Sequence, residues 1–474
     1  MLYGSQGQQI VAKRPRLAGV SLYLSAVLMS SGFNCATAQE PPPAAQQPAE
    51  SSGDVKKTPN IADQKTTLDA LKNLVPDMAP NLAPDLAPAD NAADRRATLL
   101  SKLNTFGLTG SLRSGYWSSN RLYDDRGNIG TASTWLRLDK RFENGLGIFA
   151  EAYGGREDFR SDGNGITRVR EAYLDARSGA LDFRIGQQII AWGRTDRLNP
   201  TDNLTPRDTR LLAADIDEDR FGSLAAKASW NLDAFTSVTG VWLPEFRPNR
   251  VFLRSGVSEV IPTGSRNWAL KLDQSGKAVD WSVSYYDGYD LSGDLSASYV
   301  YRHYRTRVIG FDTATTRGAW RFALESAYTR TEDPDGTLAY VKNPFVYTVL
   351  GIERDFGNNT SGIVQLFNRR VMHYQAPSAA EQLHAILTSQ LDRDQNGVSV
   401  RIAKKWWNET LETELSGSAL LERRGYLIRP RLSYAWSDQI KLFAGYEYFD
   451  GSSNTLYGLL KRNRLLFTEL RYFF

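Results

Sequence analysis

The last thirteen residues read RNRLLFTELRYFF, from Arg462 to Phe474. Counting back from the terminus puts Phe474, Tyr472, Leu470 and Thr468 on one side, with Arg471 and Glu469 on the other. A period of two belongs to an extended strand, whose successive side chains leave on opposite faces. One face of this strand is apolar and aromatic; the other is charged. Such a segment fits where one side is covered by a greasy medium and the other stays wet.

The same alternation recurs upstream, in Thr134-Trp135-Leu136-Arg137-Leu138-Asp139, Asp182-Phe183-Arg184-Ile185, Leu411-Glu412-Thr413-Glu414-Leu415-Ser416 and Ile440-Lys441-Leu442. Eighteen segments of this kind start near residues 106, 130, 146, 167, 181, 223, 234, 268, 279, 301, 319, 344, 359, 398, 410, 426, 439 and 462. Their connections alternate between tight turns, such as Glu143-Asn144-Gly145 and Gly357-Asn358-Asn359, and long polar loops at 193–222, 245–267 and 372–397. An even number of strands with short-long alternation predicts an all-β, transmembrane antiparallel barrel over residues 106–474, with tight turns in the periplasm and long loops outside. A soluble sandwich or propeller would bury the polar faces, and charges such as Arg137, Asp139 and Arg141 on one face make that costly. The terminal strand resembles the signal, here Leu470, Tyr472 and Phe474, that is read by the machinery assembling outer-membrane barrels. Outer-membrane lipid and that machinery are the expected partners. Trp192, Trp242, Trp406, Tyr446 and Tyr448 are expected at the membrane interfaces.

The chain of 474 residues has 57 Lys and Arg, 53 Asp and Glu, 38 Gly, 53 aromatic residues and one Cys. Past its N-terminal region no stretch approaches the roughly 20 apolar residues of a spanning helix. Lys13, Arg14 and Arg16 precede the apolar run Leu17–Leu28, and Ala36-Thr37-Ala38 follows, which predicts an export signal over 1–38. Removing it would leave 436 residues with 54 basic against 53 acidic side chains and no Cys. Without a concentrated basic face, nucleic acid is not an expected partner. Residues 39–105 are Pro- and Ala-rich, with Pro every fourth position in VPDMAPNLAPDLAP from Val75. They are expected to be a mostly disordered periplasmic extension with short helices, serving as a spacer, a docking segment for a periplasmic partner, or a lumen plug.

The loop at 193–222 is rich in both charges and stiffened by Pro200 and Pro206. Arg194, Asp196, Arg197, Asp202, Arg207, Asp208 and Arg210 are the candidate constriction, where opposed charges would sort solutes by sign and shape; the same groups would serve equally to knit the loop together. Arg137, Arg184, Arg305, Arg307, Arg321, Arg429 and Arg431 are expected in the lumen with Glu412 and Glu414, alongside a near-equal set of further acids that includes Glu325. Arg305 and Arg307 with His303 would form one basic patch.

Gly186-Gln187-Gln188, Trp192-Gly193-Arg194 and Asn199-Pro200-Thr201-Asp202 resemble a pattern in porin-like outer-membrane barrels and, more loosely, in the alginate-export type. That resemblance covers about 17 residues and implies a conduit with a charged lumen. Asp392-Arg393-Asp394-Gln395-Asn396-Gly397 matches half of a calcium loop, but Ala403 stands where the bidentate Glu belongs, so an ordinary turn is expected. No cofactor or metal is expected, and the three His, at 303, 373 and 384, lack ligand spacing or a nucleophile motif. The expected function is therefore non-enzymatic: a passive channel for small polar or charged solutes. The alternatives are an exporter of an anionic exopolysaccharide and a plugged structural or adhesive barrel. Oligomeric state is left open.

Overall fold

A computed structural model of the chain describes residues 105–119, 127–157, 165–253, 255–264 and 266–474. The export signal at 1–38 and nearly all of the extension at 39–105 lie outside the described residues. Eighteen strands form one sheet, from Leu108–Ser119 to Leu465–Phe473, each antiparallel to its sequence neighbours. The first and last strands pair with each other, Arg113 opposite Arg471 and Gly115 opposite Glu469. Closure leaves no edge of unpaired N–H and C=O groups, the condition for crossing a bilayer with strands.

Each strand begins within four residues of the start read from alternation. The tenth shows why the reading slips where it does. Val300–Arg302 belongs to a separate three-stranded sheet, parallel to Ser258–Val260 and antiparallel to Asp294–Leu295, and the barrel strand starts afresh at Arg305. Parity therefore cannot be carried through Tyr304. Val308 and Asp312 are 3% and 1% exposed, whereas Ile309 and Phe311 are 55% and 40% exposed. Arg305 and Arg307 share the parity of Ile309, so they lie on the outer face, gripping Asp287 near the extracellular rim rather than lining the lumen. His303 is buried apart from them, its ring nitrogens on the Asp290 carbonyl and Glu259.

The outer face carries Leu136, Ile185, Leu270, Ile309, Leu366, Leu415 and Leu470 in a continuous apolar belt. Trp242 and Trp268 pair across neighbouring strands at its extracellular edge, and Trp406 sits at the periplasmic edge. Trp192 is not in a girdle: it is buried inside with Ile190, Leu204, Ala225 and Tyr286. Above the barrel, the long connections meet. Val251, Leu295, Tyr301, Ile386, Leu387, Leu456, Tyr457 and Leu460 come from four of them and join Phe449 in one buried cluster. Ile386 and Leu387 are delivered by a short helix, Gln382–Leu387.

Candidate functional site

The fifth strand, Leu181–Gln188, ends and the chain turns into the barrel rather than away from it. Its first stop is Glu325 on the eleventh strand, Trp320–Arg330. That carboxylate has no exposed surface. It accepts hydrogen bonds from the backbone N–H groups of Arg194 (3.1 Å), Thr195 (3.2 Å) and Thr201 (2.9 Å) and from the hydroxyls of Thr195 (2.7 Å) and Thr201 (2.8 Å). A buried anion is tolerable only when its lone pairs are satisfied in this way. Gly193 makes the wrap possible: it sits at φ +108, and a Cβ there would lie 2.6 Å from the Glu325 carboxylate. The stretch Trp192–Asp202, which carries most of the resemblance noted above, is the segment folded around this one side chain.

From Glu325 the loop makes a circuit of the wall. Arg194 pairs with Asp312 and with Asp273 (3.0 Å), and its carbonyl accepts from Arg321 (2.7 Å). Asp196 meets Arg401 at 3.0 Å, and Arg197 meets Glu414. Asp202 pairs with Arg220 (3.0 Å) and Arg207 with Asp219 (2.8 Å), tying the two limbs of the loop together. Asp208 holds Arg210 (2.9 Å) and Arg250 (3.4 Å). Further along, Arg429 donates to the Ala214 carbonyl at 2.9 Å, and Glu218 bridges Arg113 (2.9 Å) and Arg471 (2.7 Å). The return limb ends at Gly222, whose N–H donates to the Arg170 carbonyl at 2.8 Å.

All seven candidate constriction residues thus lie on a loop inside the lumen, each in an ion pair with the wall or with the loop itself. Among the candidate lumen residues, Arg137, Arg184, Arg321, Arg429, Arg431, Glu412 and Glu414 share the inward parity. Arg431 contacts Glu412 (3.2 Å) and Glu414 (3.5 Å), Arg321 contacts Glu353 (3.6 Å), and Arg184 lies over Tyr173 (4.0 Å). The loop's buried Asp219 carries an unusual electrostatic load. Burial raises its pKa to about 6, and the neighbouring Arg207 and Arg220 offset that only in part.

Sequence alternation missed Arg170. The fourth strand, Gly165–Ser178, has an extra residue against the third: Glu151 faces Glu171 while Ala152 faces Val169. The resulting bulge turns both Arg170 and Glu171 inward. Asp392 is held by Arg423 (2.6 and 2.7 Å) and Asp394 opens the fourteenth strand, so the calcium-like stretch is a strand entrance. Among the described residues no three His, Cys, Asp or Glu side chains are grouped to hold a metal ion. Leu470 faces outward and Glu469 and Arg471 inward, as the terminal alternation requires; Phe474 exchanges backbone hydrogen bonds with Gly110.

A closed, eighteen-stranded barrel with an apolar belt and an inward-folded loop after its fifth strand is an outer-membrane barrel of the porin type. The chain belongs to the family described as "Protein of unknown function (DUF1302)", which matches residues 104–416. Its fold is that of OccAB3 from Acinetobacter baumannii (10% identity, TM-score 0.51) and of Pseudomonas aeruginosa OpdK crystallised with vanillate (10%, 0.51). Each of these alignments covers 77% of this chain and 98% of the other. OccAB2 from Acinetobacter baumannii gives 13% identity and a TM-score of 0.50, over 77% and 97%. No curated protein matches the sequence.

Proposed function

We propose that this barrel conducts small polar or charged solutes passively, down their gradients, past the loop at 193–222. The observation that carries the reading is the way loop and wall charges are interleaved inside the lumen: Arg194, Asp196 and Arg197 of the loop pair with Asp312, Arg401 and Glu414 of the wall. Fixed charges of both signs at a narrowing hold water there and orient dipolar or ionic solutes. Single-channel recording of the refolded protein in a planar bilayer tests it. Stable open steps with a reversal-potential shift support a selective pore; a silent bilayer from a folded, heat-modifiable barrel overturns it.

A second reading, a channel held shut from outside, is favoured by the apolar cluster of Val251, Leu295, Ile386, Leu456 and Tyr457 above the lumen. Contiguous apolar side chains expel water and with it any ion. An exporter of anionic polysaccharide gains less support, because Arg401, Arg429 and Arg431 are each neutralised by a carboxylate. For residues 39–105 we propose a periplasmic spacer that also offers a docking segment. Deleting 39–100 then leaves conductance unchanged, whereas a plugging role predicts a rise.

A further inference from the structure

On the outer face, one cross-strand row climbs through the belt to the extracellular rim. Ala226 stands opposite Trp242, Trp242 opposite Trp268, Trp268 opposite Asp287, Asp287 opposite Arg307, and Arg307 opposite Arg330. The row climbs because the strands of a barrel are tilted. Ala226 lies five residues from the periplasmic end of Ser223–Asn231, whereas Arg307 and Arg330 lie ten from the periplasmic ends of Arg305–Arg317 and Trp320–Arg330. The lower part of the row belongs to a groove of about 750 Å³, floored by Ala226, Ala228 and Gly240 and walled by Ile185, Trp242 and Leu270.

The upper end of the row is charged, and its charges do not balance. Arg307 and Arg330 face outward directly opposite each other, an arrangement that is destabilising for like charges. Asp287 is shared between Arg305 and Arg307 (3.2 Å). Among the described residues no carboxylate lies within ion-pair distance of Arg330, or of the exposed Arg266, whose carbonyl accepts from Arg305 at 3.0 Å. Arg370 is paired with Asp394 (3.6 Å). Even with the exposed Glu332 included, the four arginines at 266, 305, 307 and 330 meet only two carboxylates. Trp268 packs against Tyr285 at 5.1 Å just beside them, and such aromatic pairs mark the level of the headgroups. The surplus positive charge thus faces the outer leaflet at the height where lipid carries its anions.

We propose that this strip binds a phosphorylated, multiply acylated glycolipid of the outer leaflet, with a phosphate between Arg307 and Arg330 and an acyl chain in the groove. Guanidinium forks match phosphate oxygens in pairs, and an anion between the two arginines turns a repulsive contact into a bridge. Trp268 and Arg307 are two strand spacings apart, roughly 10 Å, so one molecule spans groove and charge. A headgroup with two phosphates matches the surplus, which a singly charged phospholipid does not. Gly240 keeps the groove deep: a Cβ there would meet nothing within 4 Å. The site is independent of what passes through the lumen.

The test is native mass spectrometry of the refolded full-length protein in detergent, titrated with diphosphoryl lipid A and challenged with phosphatidylglycerol or inorganic phosphate. The wild type is expected to retain one lipid A and to prefer it at least about tenfold over phosphatidylglycerol. Combining Arg307→Gln with Arg330→Gln should weaken lipid A by at least about tenfold, while Asp287 keeps its contact with Arg305. Gly240→Leu fills the groove and should weaken lipid A by about threefold or more with both arginines in place. Lipid A binding to the double variant within about twofold of the wild type overturns the proposal. So does phosphatidylglycerol competing equally, which would make the strip a contact for any anionic lipid, and so does inorganic phosphate competing equally, which would make it a bare anion site. Unchanged binding by Gly240→Leu removes the acyl chain from the groove and overturns the assignment to a lipid seated there. A heat-modifiable band on a gel verifies that each variant is folded. If the double variant does not fold, Arg330→Gln alone, which breaks no ion pair, carries the comparison.

Discussion

Arg170 and Glu171 are consecutive, yet both side chains enter the lumen, because the fourth strand bulges between them. Glu171 accepts a hydrogen bond from the N–H of Ile189 (2.7 Å), where the crossing loop begins. Arg170 donates to the carbonyls of Asp217 (3.0 Å) and Arg220 (2.8 Å), where the loop ends, and pairs with Glu151 (2.7 Å). One irregularity in one strand therefore fastens both ends of a segment more than thirty residues long. Deleting Arg170 restores a regular register and removes the exit clasp. The barrel should still fold, at a cost of about 1–3 kcal/mol for the lost charged hydrogen bonds. Limited proteolysis should then cut within residues 209–216, where the wild type resists.

Glu325 is the peg on the far wall. Replacing it with Ala strands three N–H groups and two hydroxyls away from water, at an expected cost of about 2–4 kcal/mol. Unitary conductance should rise as the loop leaves the lumen. Glu325→Gln retains one acceptor oxygen and should give an intermediate conductance. Equal conductance in all three proteins, measured in one bilayer system, would sink the idea that this contact seats the loop.

Asp219 predicts a pH dependence with a definite sign. Its folded pKa of about 6 lies above the ordinary carboxylate value near about 3.9, so the folded protein holds this proton more tightly than the unfolded chain does. Its contribution to stability therefore grows as the pH falls from about 6 toward about 4, and is flat above about 6. Protonation also weakens the Arg207–Asp219 tie between the two limbs of the loop. Wild-type conductance should change with a midpoint near pH 6, and Asp219→Asn should lack that step.

The apolar cluster at the extracellular mouth is separable from the barrel. Leu456→Ala removes buried side chain from it and should cost that cluster about 2–5 kcal/mol. The expected readout is a higher open probability in the bilayer with an unchanged heat-modified band on a gel. Loss of the folded band instead would mean that the cluster supports the barrel itself.

Strand number, closure and the inward loop were legible because they rest on alternation and turn chemistry, both local. Leu415 and Glu414, or Leu470 and Arg471, declare their faces within a few residues. The errors fall where local parity breaks. At Tyr304 the chain leaves one sheet and starts another, and that reversed Arg305 and Arg307. At Arg170 a bulge inserts one residue, which no pattern of polar and apolar side chains announces. Partners were harder still. Nothing near Glu325 in sequence marks it as the centre of six hydrogen bonds, the sixth from the Asn199 side-chain amide, since every donor lies at least 124 residues away.

The circuit of contacts also sets an order of events. The loop leaves the wall at Gln188, but its anchors are Glu325, Arg401, Glu414, Arg429 and Arg471, and the span from Glu218 to Arg471 is 253 residues. Contacts so distant in sequence close late, because the chain between them must first be organised. The second half of the sheet has to exist before the loop has anything to grip. On that ordering the wall is expected to close first and the loop to dock last, into a barrel already complete.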